Sequence, residues 1–486
     1  MRASRAARTI GRVQRGRATS ALGALLIGVA VAFGSSLTSD AVAVHAAIEP
    51  MPARESDAGR GELFVEARDA DTMQPLAVRV RITPRAPFGD EQVRVSGDGR
   101  VRTELPAGSY RVYATHGPAY AIAEAPAEVR GGARTTLRVR LAREVTLEGY
   151  TACDLHVHTA ESPDSDLPLP ARIASLRAED VQFAVITDHN RVTDATRALA
   201  DAGIGSLPGV EVTTWDPEFG HFNVFPRTTA PRYRKTSAHE LLRALRAEPE
   251  TFVQVNHPRL EHHIGYLALA GFDRARVTPR ALSLAFDALE VWNGYDLGAA
   301  HRRDEVFADW LALIARGHRI SATGGSDSHR EGRAPVAGYP RTYARVPRHE
   351  ARDGKRVLAA LKRGQSFVSN GPLIDLRVRG RGPGDTLLLG ASERSVQVDV
   401  EVDAPRWMAL TEVALWAGER RIARAGLPAL PPEARSRRAR VSLRAPIGLA
   451  SSLLATVSGD VSMKPLLGRT GVTPHAFTSP IWIERH

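Results

Sequence analysis

The chain has 486 residues, a formal net charge of +11 and one cysteine. This length exceeds what a single compact core fills, so two to four domains are expected. The charge does not indicate a nucleic-acid partner, because only four of the 65 basic residues are lysines and the arginines are scattered along the chain. A single cysteine excludes an intramolecular disulfide, and Cys153 is interpreted as a small buried apolar residue.

Residues 1–47 have the order of an export signal. Arginines between Arg2 and Arg17 form a basic region, residues 18–39 carry no charge, and small-residue sites follow at 41–43 and 44–46. This order predicts export to the periplasm or the cell exterior, with cleavage near residues 43–47. Retention as a membrane anchor is the alternative, since the uncharged stretch reaches spanning length. A membrane partner is expected only in that case.

Two stretches show the alternating pattern of β-strands without a helical period. The first covers residues 60–147, where short runs such as "ELFVEA" and "TLRVRL" are separated by turn-rich segments. The second covers residues 374–486 and includes the regular alternation "VQVDVEV". Short strands at this spacing predict a small β-sandwich in each stretch. The first resembles sandwiches of the carboxypeptidase-regulatory type.

Residues 148–372 alternate apolar strand-like runs with helical stretches. Ser237 and Glu240 form a capping-box pattern at the start of one helix. A second helix is predicted near residues 301–316, ending at Gly317. The alternation predicts an α/β fold with a mostly parallel sheet, either open or closed into a barrel.

The stretch "DLHVHT" (154–159) places two histidines on a predicted strand. Side chains at i and i+2 project from the same face of a strand, so His156 and His158 would lie side by side. Such a pair suits a metal ion, although two ordinary surface histidines would give the same pattern. The remainder of the segment has to distinguish the two interpretations.

Further histidines and carboxylates occur where predicted strands end, in "SPDSD", "TDHN", "GVEVTT", "GHFNVF", "VNHPR" and "GGSDSH". Because strand ends converge on one face in α/β folds, we expect these side chains to surround a single pocket. The candidate ligands are His156, His158, Asp164, His189, Glu211, His221, His257, Asp327 and His329. This nitrogen and oxygen set suits two or three divalent ions, with zinc favoured and manganese or iron as alternatives.

In this order, the motifs "DLHVHT", "SPDS", "TDHN", "NHP" and "SDSH" resemble the PHP (polymerase and histidinol phosphatase) metallohydrolases. The stretches "GHFNVF" and "RGQSFVSNGP" are similar to the carbaryl-hydrolase-like branch of that family. The resemblance implies a distorted seven-stranded (β/α) barrel over residues 148–372, flanked by the two β-sandwiches. It also implies a site for several metal ions.

The resemblance assigns a role to each candidate ligand. His156, His158, Glu211 and Asp327 would hold a first ion, Glu211 would bridge to a second held by His221 and His257, and Asp164, His189 and His329 would hold a third. Without the third ion, His189 or His329 would be free to act as a general acid. Asp327 is counted with these two histidines among the catalytic residues.

These inferences predict an exported metal-dependent hydrolase acting on a small molecule. Two cations about 3.5–4 Å apart make hydroxide available at neutral pH for attack on a phosphoryl or acyl centre. A phosphoesterase is the leading interpretation, with Arg259 and Asn293 as substrate-binding residues.

Two alternatives stay open. A carbamate or carboxylic ester hydrolase would use the same metal site with an apolar pocket, for which the candidates are Trp215, Phe219, Tyr266 and Trp292. A non-catalytic binding protein is the second alternative, and the complete set of ligand positions argues against it.

Overall fold

The computed structural model describes most of the chain after residue 41. The described residues are 42–50, 59–85, 89–146, 148–260, 264–276, 282–332, 334–431, 434 and 436–486. The predicted leader therefore lies outside the described residues, except for positions 42–47. Within the described ranges, no helix combines the length and the apolar composition needed to cross a membrane.

Eight strands fold the N-terminal segment into two four-stranded sheets around one core. They are β1 (Val42–Pro50), β2 (Arg60–Asp69), β3 (Val78–Pro84), β4 (Gln92–Ser96), β5 (Arg100–Pro106), β6 (Gly108–Thr115), β7 (Ala123–Val129) and β8 (Ala133–Leu141). One sheet has the order β1-β8-β2-β5 and the other β4-β3-β6-β7. Buried and exposed residues alternate along β5 and β7, and the inward-facing side chains, such as Leu63, Val80 and Val112, form the core.

Among the described residues of the middle segment there are ten strands and six α-helices. The strands are β9 (Thr151–Val157), β10 (Phe183–Ile186), β11 (Gly205–Ser206), β12 (Val210–Thr213), β13 (His221–Phe225), β14 (Phe252–Val255), β15 (Ala288–Asn293), β16 (Ser321–Gly325), β17 (Arg341–Ala344) and β18 (Ser366–Ser369). The helices are α1 (Leu169–Ala178), α2 (Thr196–Asp201), α3 (Ala238–Arg246), α4 (Tyr266–Leu269), α5 (Ala300–Ala315) and α6 (Gly354–Lys362). β9, β10, β14 and β15 are buried along their whole length, which explains why their sequences are largely apolar runs.

The strands of the middle segment belong to two sheets. β11-β10-β9-β17-β18 are part of an eleven-stranded sheet, and β12-β13-β14-β15-β16 form a five-stranded one. β13 runs antiparallel to both of its neighbours, β12 and β14, and it follows β12 through a loop without a helix. Isolated bridges at Val157–Ser328 and His189–Glu211 connect the sheets. The described ladders thus form a mixed α/β fold, and the closed seven-stranded barrel stays a prediction.

The C-terminal segment continues the larger sheet. Its elements are β19 (Leu373–Arg377), β20 (Thr386–Leu389), β21 (Val396–Pro405), β22 (Glu412–Ala417), β23 (Arg420–Gly426), β24 (Ser436–Ala445), β25 (Ser452–Ser458), α7 (Lys464–Leu467), β26 (His475–Thr478) and β27 (Ile481–Arg485). β18 pairs with β26, and the order continues through β25, β22 and β23. A separate sheet has the order β19-β21-β24. The sheet therefore runs without interruption across the boundary predicted between residues 372 and 374.

Two sequence signals for helix ends are confirmed. Ser237 and Glu240 form a complete capping box at the start of α3. α5 buries Trp310 and Ile314 and is followed by Gly317, whose φ is +88°. Glycine adopts this left-handed conformation without the steric cost that a Cβ would bring.

One buried arginine joins all three segments. Arg79, on β3, donates from Nε to Oε1 of Glu179 in the middle segment over 2.5 Å. Its Nη2 donates to the carbonyl oxygen of Leu466 in the C-terminal segment over 2.8 Å. Since the side chain is 1% exposed, these bonds replace solvation that folding removes.

A second polar junction centres on Asp180 in the middle segment. Arg143 donates to its Oδ2 over 2.8 Å, and Arg348 contacts both carboxylate oxygens, at 3.0 and 2.5 Å. Burial alone raises the pKa of Asp180, but the two guanidinium groups outweigh it and hold the pKa well below its usual range. The carboxylate is therefore ionised and paired throughout the neutral range.

We expect Asp180→Asn to lower the free energy of unfolding by about 3 kcal/mol at pH 7, because it leaves two arginines without their partner. Asparagine tolerates the φ of +54° at this position. Since the folded pKa is depressed, the carboxylate contributes stability above its unfolded pKa near 4, and this contribution is lost as the pH falls through the folded pKa. Denaturant unfolding measures this at pH 7 and pH 3. The difference in free energy of unfolding between the wild-type protein and Asp180→Asn should be smaller at pH 3. An equal difference at both pH values would contradict this, and Asp71→Asn, at an exposed aspartate, is the matched control.

Candidate metal centre

The histidines of "DLHVHT" lie side by side at the end of β9. Both side chains are fully buried, and their ring centroids are 5.3 Å apart. Leu155 and Val157 pack into apolar clusters. Cys153 packs beside Leu155, and burial raises the pKa of its thiol to about 12. Its interpretation as a buried apolar residue is confirmed.

Glu211, on β12, is the centre of the group. It is fully buried, and five histidine rings surround its carboxylate. Its oxygens lie 3.5 Å from Nε2 of His156 and of His158, 2.9 Å from Nδ1 of His189, 3.2 Å from Nδ1 of His221 and 3.3 Å from Nε2 of His257. This single carboxylate therefore contacts ligand candidates from four strand ends.

Asp327, just after β16, is the second buried carboxylate. Its Oδ1 lies 3.3 Å from Nε2 of His156 and 3.2 Å from Nε2 of His158. Asn293 donates to its Oδ2 over 3.2 Å. Asp327 has a φ of +53°, a conformation that costs a residue with a Cβ some strain and recurs at functional sites. The surrounding contacts hold the carboxylate against that strain.

Asp164 forms the solvent-facing edge of the group. Its Oδ2 lies 3.3 Å from Nε2 of His189 and 3.1 Å from Nε2 of His329. Its side chain is 52% exposed, compared with 14% for His189 and 0% for Glu211. The centre therefore opens to solvent on the side of Asp164 and His189.

The buried carboxylates have no permanent cation beside them. Among the described residues, no lysine or arginine approaches Glu211 or Asp327 within the distance of an ion pair, and every partner is a histidine. Burial raises the pKa of Glu211, but the surrounding histidines hold it well below its usual range. The two negative charges are thus balanced either by protons on the histidines or by bound cations.

The histidines around the two carboxylates differ in the direction in which their pKa values are shifted. Burial lowers the pKa of His158 to about 4, although Asp327 acts in the opposite direction. Burial also lowers the pKa of His189, but Glu211 and Asp164 outweigh it and raise the value to about 10. The lowered pKa favours the neutral form of His158, the form that binds metal ions, and the raised pKa favours the protonated form of His189.

Neighbouring acceptors orient the rings. His156 Nδ1 lies 2.9 Å from Oε1 of Glu290, and His158 Nδ1 lies 2.9 Å from the hydroxyl of Ser162. His329 Nδ1 donates to the carbonyl oxygen of Asp327 over 2.9 Å. In each ring the Nδ1 contact leaves Nε2, the nitrogen that faces a carboxylate, available as a ligand.

The donor atoms fit divalent metal ions. Several buried atoms make no hydrogen bond, namely Nε2 of His156, His158 and His329, Nδ1 of His257, and Oε2 of Glu211. Four sets of three residues bring ligand atoms within 4.8 Å of one another, namely His156/His158/Asp327, His156/Glu211/His257, His189/Glu211/His221 and His158/His189/His329. Buried acceptors without donors are costly unless a cation satisfies them, and imidazole with carboxylate suits zinc, manganese or iron.

The structure brings all nine predicted ligand candidates into one group. Asp164 contributes no atom to the four sets, but it contacts two of their histidines. Asp188, which adjoins His189, accepts from Thr159 N and from the Ser162 hydroxyl. It thus fixes the loop after β9 and reaches His158 only through Ser162.

Two buried residues of the centre were missed by the sequence analysis. Glu290, on β15, contacts the His156 ring and also accepts from the His257 backbone N–H over 2.8 Å. Asn256 donates from Nδ2 to Oε1 of Glu211 over 2.8 Å. A lone carboxylate inside the apolar strand "ALEVWN" was a visible signal for Glu290, whereas nothing in the local pattern pointed to Asn256.

The predicted substrate-binding residues have other contacts. The Arg259 guanidinium donates to Oδ2 of Asp309 over 2.7 Å and to the carbonyl oxygen of Phe272 over 2.9 Å, so an ion pair already engages it. Asn293 is buried and supports Asp327 rather than lining an open pocket. Tyr266 and Trp292, considered for an aromatic pocket, are each 1% exposed and belong to the core.

Comparisons with known proteins add little to this geometry. No family model and no curated protein matches the chain. Among solved structures, it is similar to a two-domain protein containing a predicted PHP-like metal-dependent phosphoesterase from Bacteroides vulgatus ATCC 8482. That match has 14% identity and a TM-score of 0.37, and covers 70% of this chain and 97% of the other. A likeness this distant does not by itself define the fold or the activity of the present chain.

We expect Glu290→Gln to weaken metal binding about 10- to 100-fold, the loss typical of residues that orient metal ligands. The glutamine amide cannot accept from both the His156 ring and the His257 backbone N–H, so one of the two ligands loses its orientation. Competition for zinc with a chromogenic chelator measures the change. Glu305→Gln, at an exposed glutamate, is the matched control. An unchanged affinity in a folded Glu290→Gln protein would show that Glu290 does not position the ligands.

Proposed function

We propose that this protein is a metal-dependent hydrolase of the PHP type and that it cleaves phosphoesters. The observation that carries the proposal is the pair of buried carboxylates, Glu211 and Asp327, whose ion-pair partners among the described residues are all histidines. Such a donor set has a clear use with divalent ions and little use without them. Divalent ions bound there would supply Lewis acidity and a nucleophile derived from water at neutral pH.

The residues of the centre would have different roles. His156, His158, Glu211 and Asp327 would hold one ion, and Glu211 with His221 and His257 a second. The buried ligands exclude bulk water from one side of the centre, while Asp164 and His189 leave the other side open to a substrate. The distorted barrel expected for this family is part of the same proposal.

His189 and His329 are proposed to move the proton. Both Nε2 atoms face the half-exposed Asp164, at the edge where a leaving group would depart. Asp164 and Asp327 outweigh the effect of burial and raise the pKa of His329, while Glu211 and Asp164 do the same for His189. A protonated imidazole at this edge can donate its proton to a leaving alkoxide or phenoxide. Asp164, His189 and His329 would instead hold a third ion where one is bound.

The phosphoester is preferred to an aryl carbamate because the apolar pocket considered for a carbamate is incomplete. Two of its four candidate aromatic residues, Tyr266 and Trp292, are buried in the core. The carbamate or ester hydrolase remains as an outcome of the test below.

We also propose that the chain is exported. The support is the sequence of the leader, of which residues 42–47 are described. Val44 packs against the N-terminal core within β1. Cleavage after Ala43 would keep Val44 in its sheet, whereas cleavage after Ala46 would remove it. Mass spectrometry of the secreted chain identifies the new N-terminus.

We expect the purified protein to hydrolyse an aryl phosphomonoester or phosphodiester in a chelator-sensitive manner, with 1-naphthyl N-methylcarbamate as the competing substrate. His156→Ala and Asp327→Ala each remove a proposed ligand, so each should lose at least about 10- to 100-fold in kcat/KM. His349→Ala, at an 81% exposed histidine, should retain full activity. Turnover of the carbamate alone would move the assignment to a carbamate hydrolase. Metal binding without turnover of any of these substrates would contradict the phosphoesterase and favour the non-catalytic binding protein.

A further inference from the structure

We propose that a cavity beside the metal centre, formed by Asn190, Trp215, Arg232, Tyr233 and Arg234, binds the leaving-group portion of the substrate. The ligand class assigned to it is a planar aromatic ring that carries negative charge of its own. This inference rests on the proposed hydrolase function and specifies its substrate.

Hydrogen bonds through Thr213 link the wall of the cavity to the centre. The Thr213 hydroxyl lies 2.6 Å from Nδ1 of His189. Asn190 holds the Thr213 backbone from both sides, donating to its carbonyl oxygen over 2.8 Å and accepting from its N–H over 3.0 Å. Asn190 directly follows His189, and Trp215 lies two residues beyond Thr213. Two residues of the cavity wall, Asn190 and Trp215, are therefore next to or close to residues that contact the centre.

One of the partly exposed ligands of the centre precedes a residue of the cavity wall. The ligands from β9 and β12 are completely buried, whereas His189 and Asp164 are partly exposed. His189 is therefore one of the ligands that a substrate can reach from solvent, and the next residue, Asn190, lines the cavity.

Trp215 gives the cavity an aromatic surface. Its side chain is 63% exposed, so the face of the indole ring is accessible to a ligand that enters the cavity. Tyr233, by contrast, is 6% exposed and belongs to the core, so it supplies a fixed wall. Exposed indole beside a rigid wall suits a flat ring that can stack on it.

Two arginines give the cavity its charge. Arg232 and Arg234 are exposed, and no carboxylate among the described residues is recorded as an ion-pair partner of either one. The Arg234 guanidinium carbon lies 5.8 Å from the centroid of the Tyr233 ring. Guanidinium groups without an internal partner favour an anionic ligand, and they match carboxylate and phosphate in shape.

The size of the cavity agrees with such a ligand. Its volume is about 480 Å³, within the range of roughly 300–1,000 Å³ typical of small-molecule sites. A methyl or ethyl leaving group would leave most of this space unused.

The test compares release of inorganic phosphate from methyl phosphate, phenyl phosphate and 4-carboxyphenyl phosphate. Each variant is judged by ratios between substrates, which cancel the difference in their intrinsic reactivity. Trp215→Ala should lower kcat/KM for the two aryl substrates on the order of 10-fold, the loss of one stacking partner, and leave methyl phosphate within about 2-fold. Arg232→Gln and Arg234→Gln should each lower kcat/KM only for 4-carboxyphenyl phosphate, by about 2- to 5-fold.

Matched controls separate the cavity from general surface effects. Leu449→Ala removes a side chain that is 73% exposed in the C-terminal segment, and Arg420→Gln removes an exposed arginine there. Both variants should leave kcat/KM unchanged for all three substrates. Trp215→Phe, which keeps an aromatic ring, should recover most of the loss caused by Trp215→Ala. Equal effects of Trp215→Ala on all three substrates, or none, would overturn the inference.

A binding measurement separates failure of this inference from failure of the hydrolase proposal. If no phosphoester is turned over, calorimetric titration of the zinc-loaded protein with 4-carboxyphenyl phosphate still reports on the cavity. A Kd that rises on the order of 10-fold in Trp215→Ala would retain the aryl site in a protein that is not a phosphoesterase. An unchanged Kd, or no binding to the wild-type protein, would overturn the inference.

Discussion

The centre of this protein is organised by one unfavourable group, the buried carboxylate of Glu211. An ionised carboxylate without solvent costs several kcal/mol unless positive charge compensates it. Histidine rings from β9, β13 and the ends of β10 and β14 provide that compensation only when they are protonated or share a cation with it. The positions of at least four strand ends are therefore tied to the charge of a single side chain. Binding of the proposed divalent ions would therefore be linked to folding.

The scaffold holds these strand ends with buried polar contacts as well as with apolar packing. Glu290 restrains His156 and the backbone of His257, and Asp188 restrains the loop that carries Ser162. Farther away, Arg79 and Asp180 join the flanking segments to the middle one. Charged groups buried in this way are costly when one partner is lost, so they specify one arrangement of the three segments.

The sequence predicts that the nine candidate side chains lie together because they sit at strand ends, and strand ends converge. Alternating burial in β5 and β7 likewise follows from the local pattern, as does the capping box of α3. The contacts of Arg259 could not be predicted from the sequence. Its partner Asp309 lies fifty residues further along the chain, on a helix, and no local signal indicates that contact. The pairing of β18 with β26 is also a contact between residues distant in sequence.

That pairing has a practical consequence for dissecting the molecule. Phe367, Val368 and Ser369 in β18 face Thr478, Phe477 and Ala476 in β26. Ending the chain after residue 372 would leave these backbone groups unpaired along an apolar edge, a template for intermolecular association. The segment that carries the candidate metal centre therefore does not correspond to an independent folding unit. Biochemical work on the isolated segment would examine a destabilised, self-associating fragment rather than the candidate metal centre in its native surroundings.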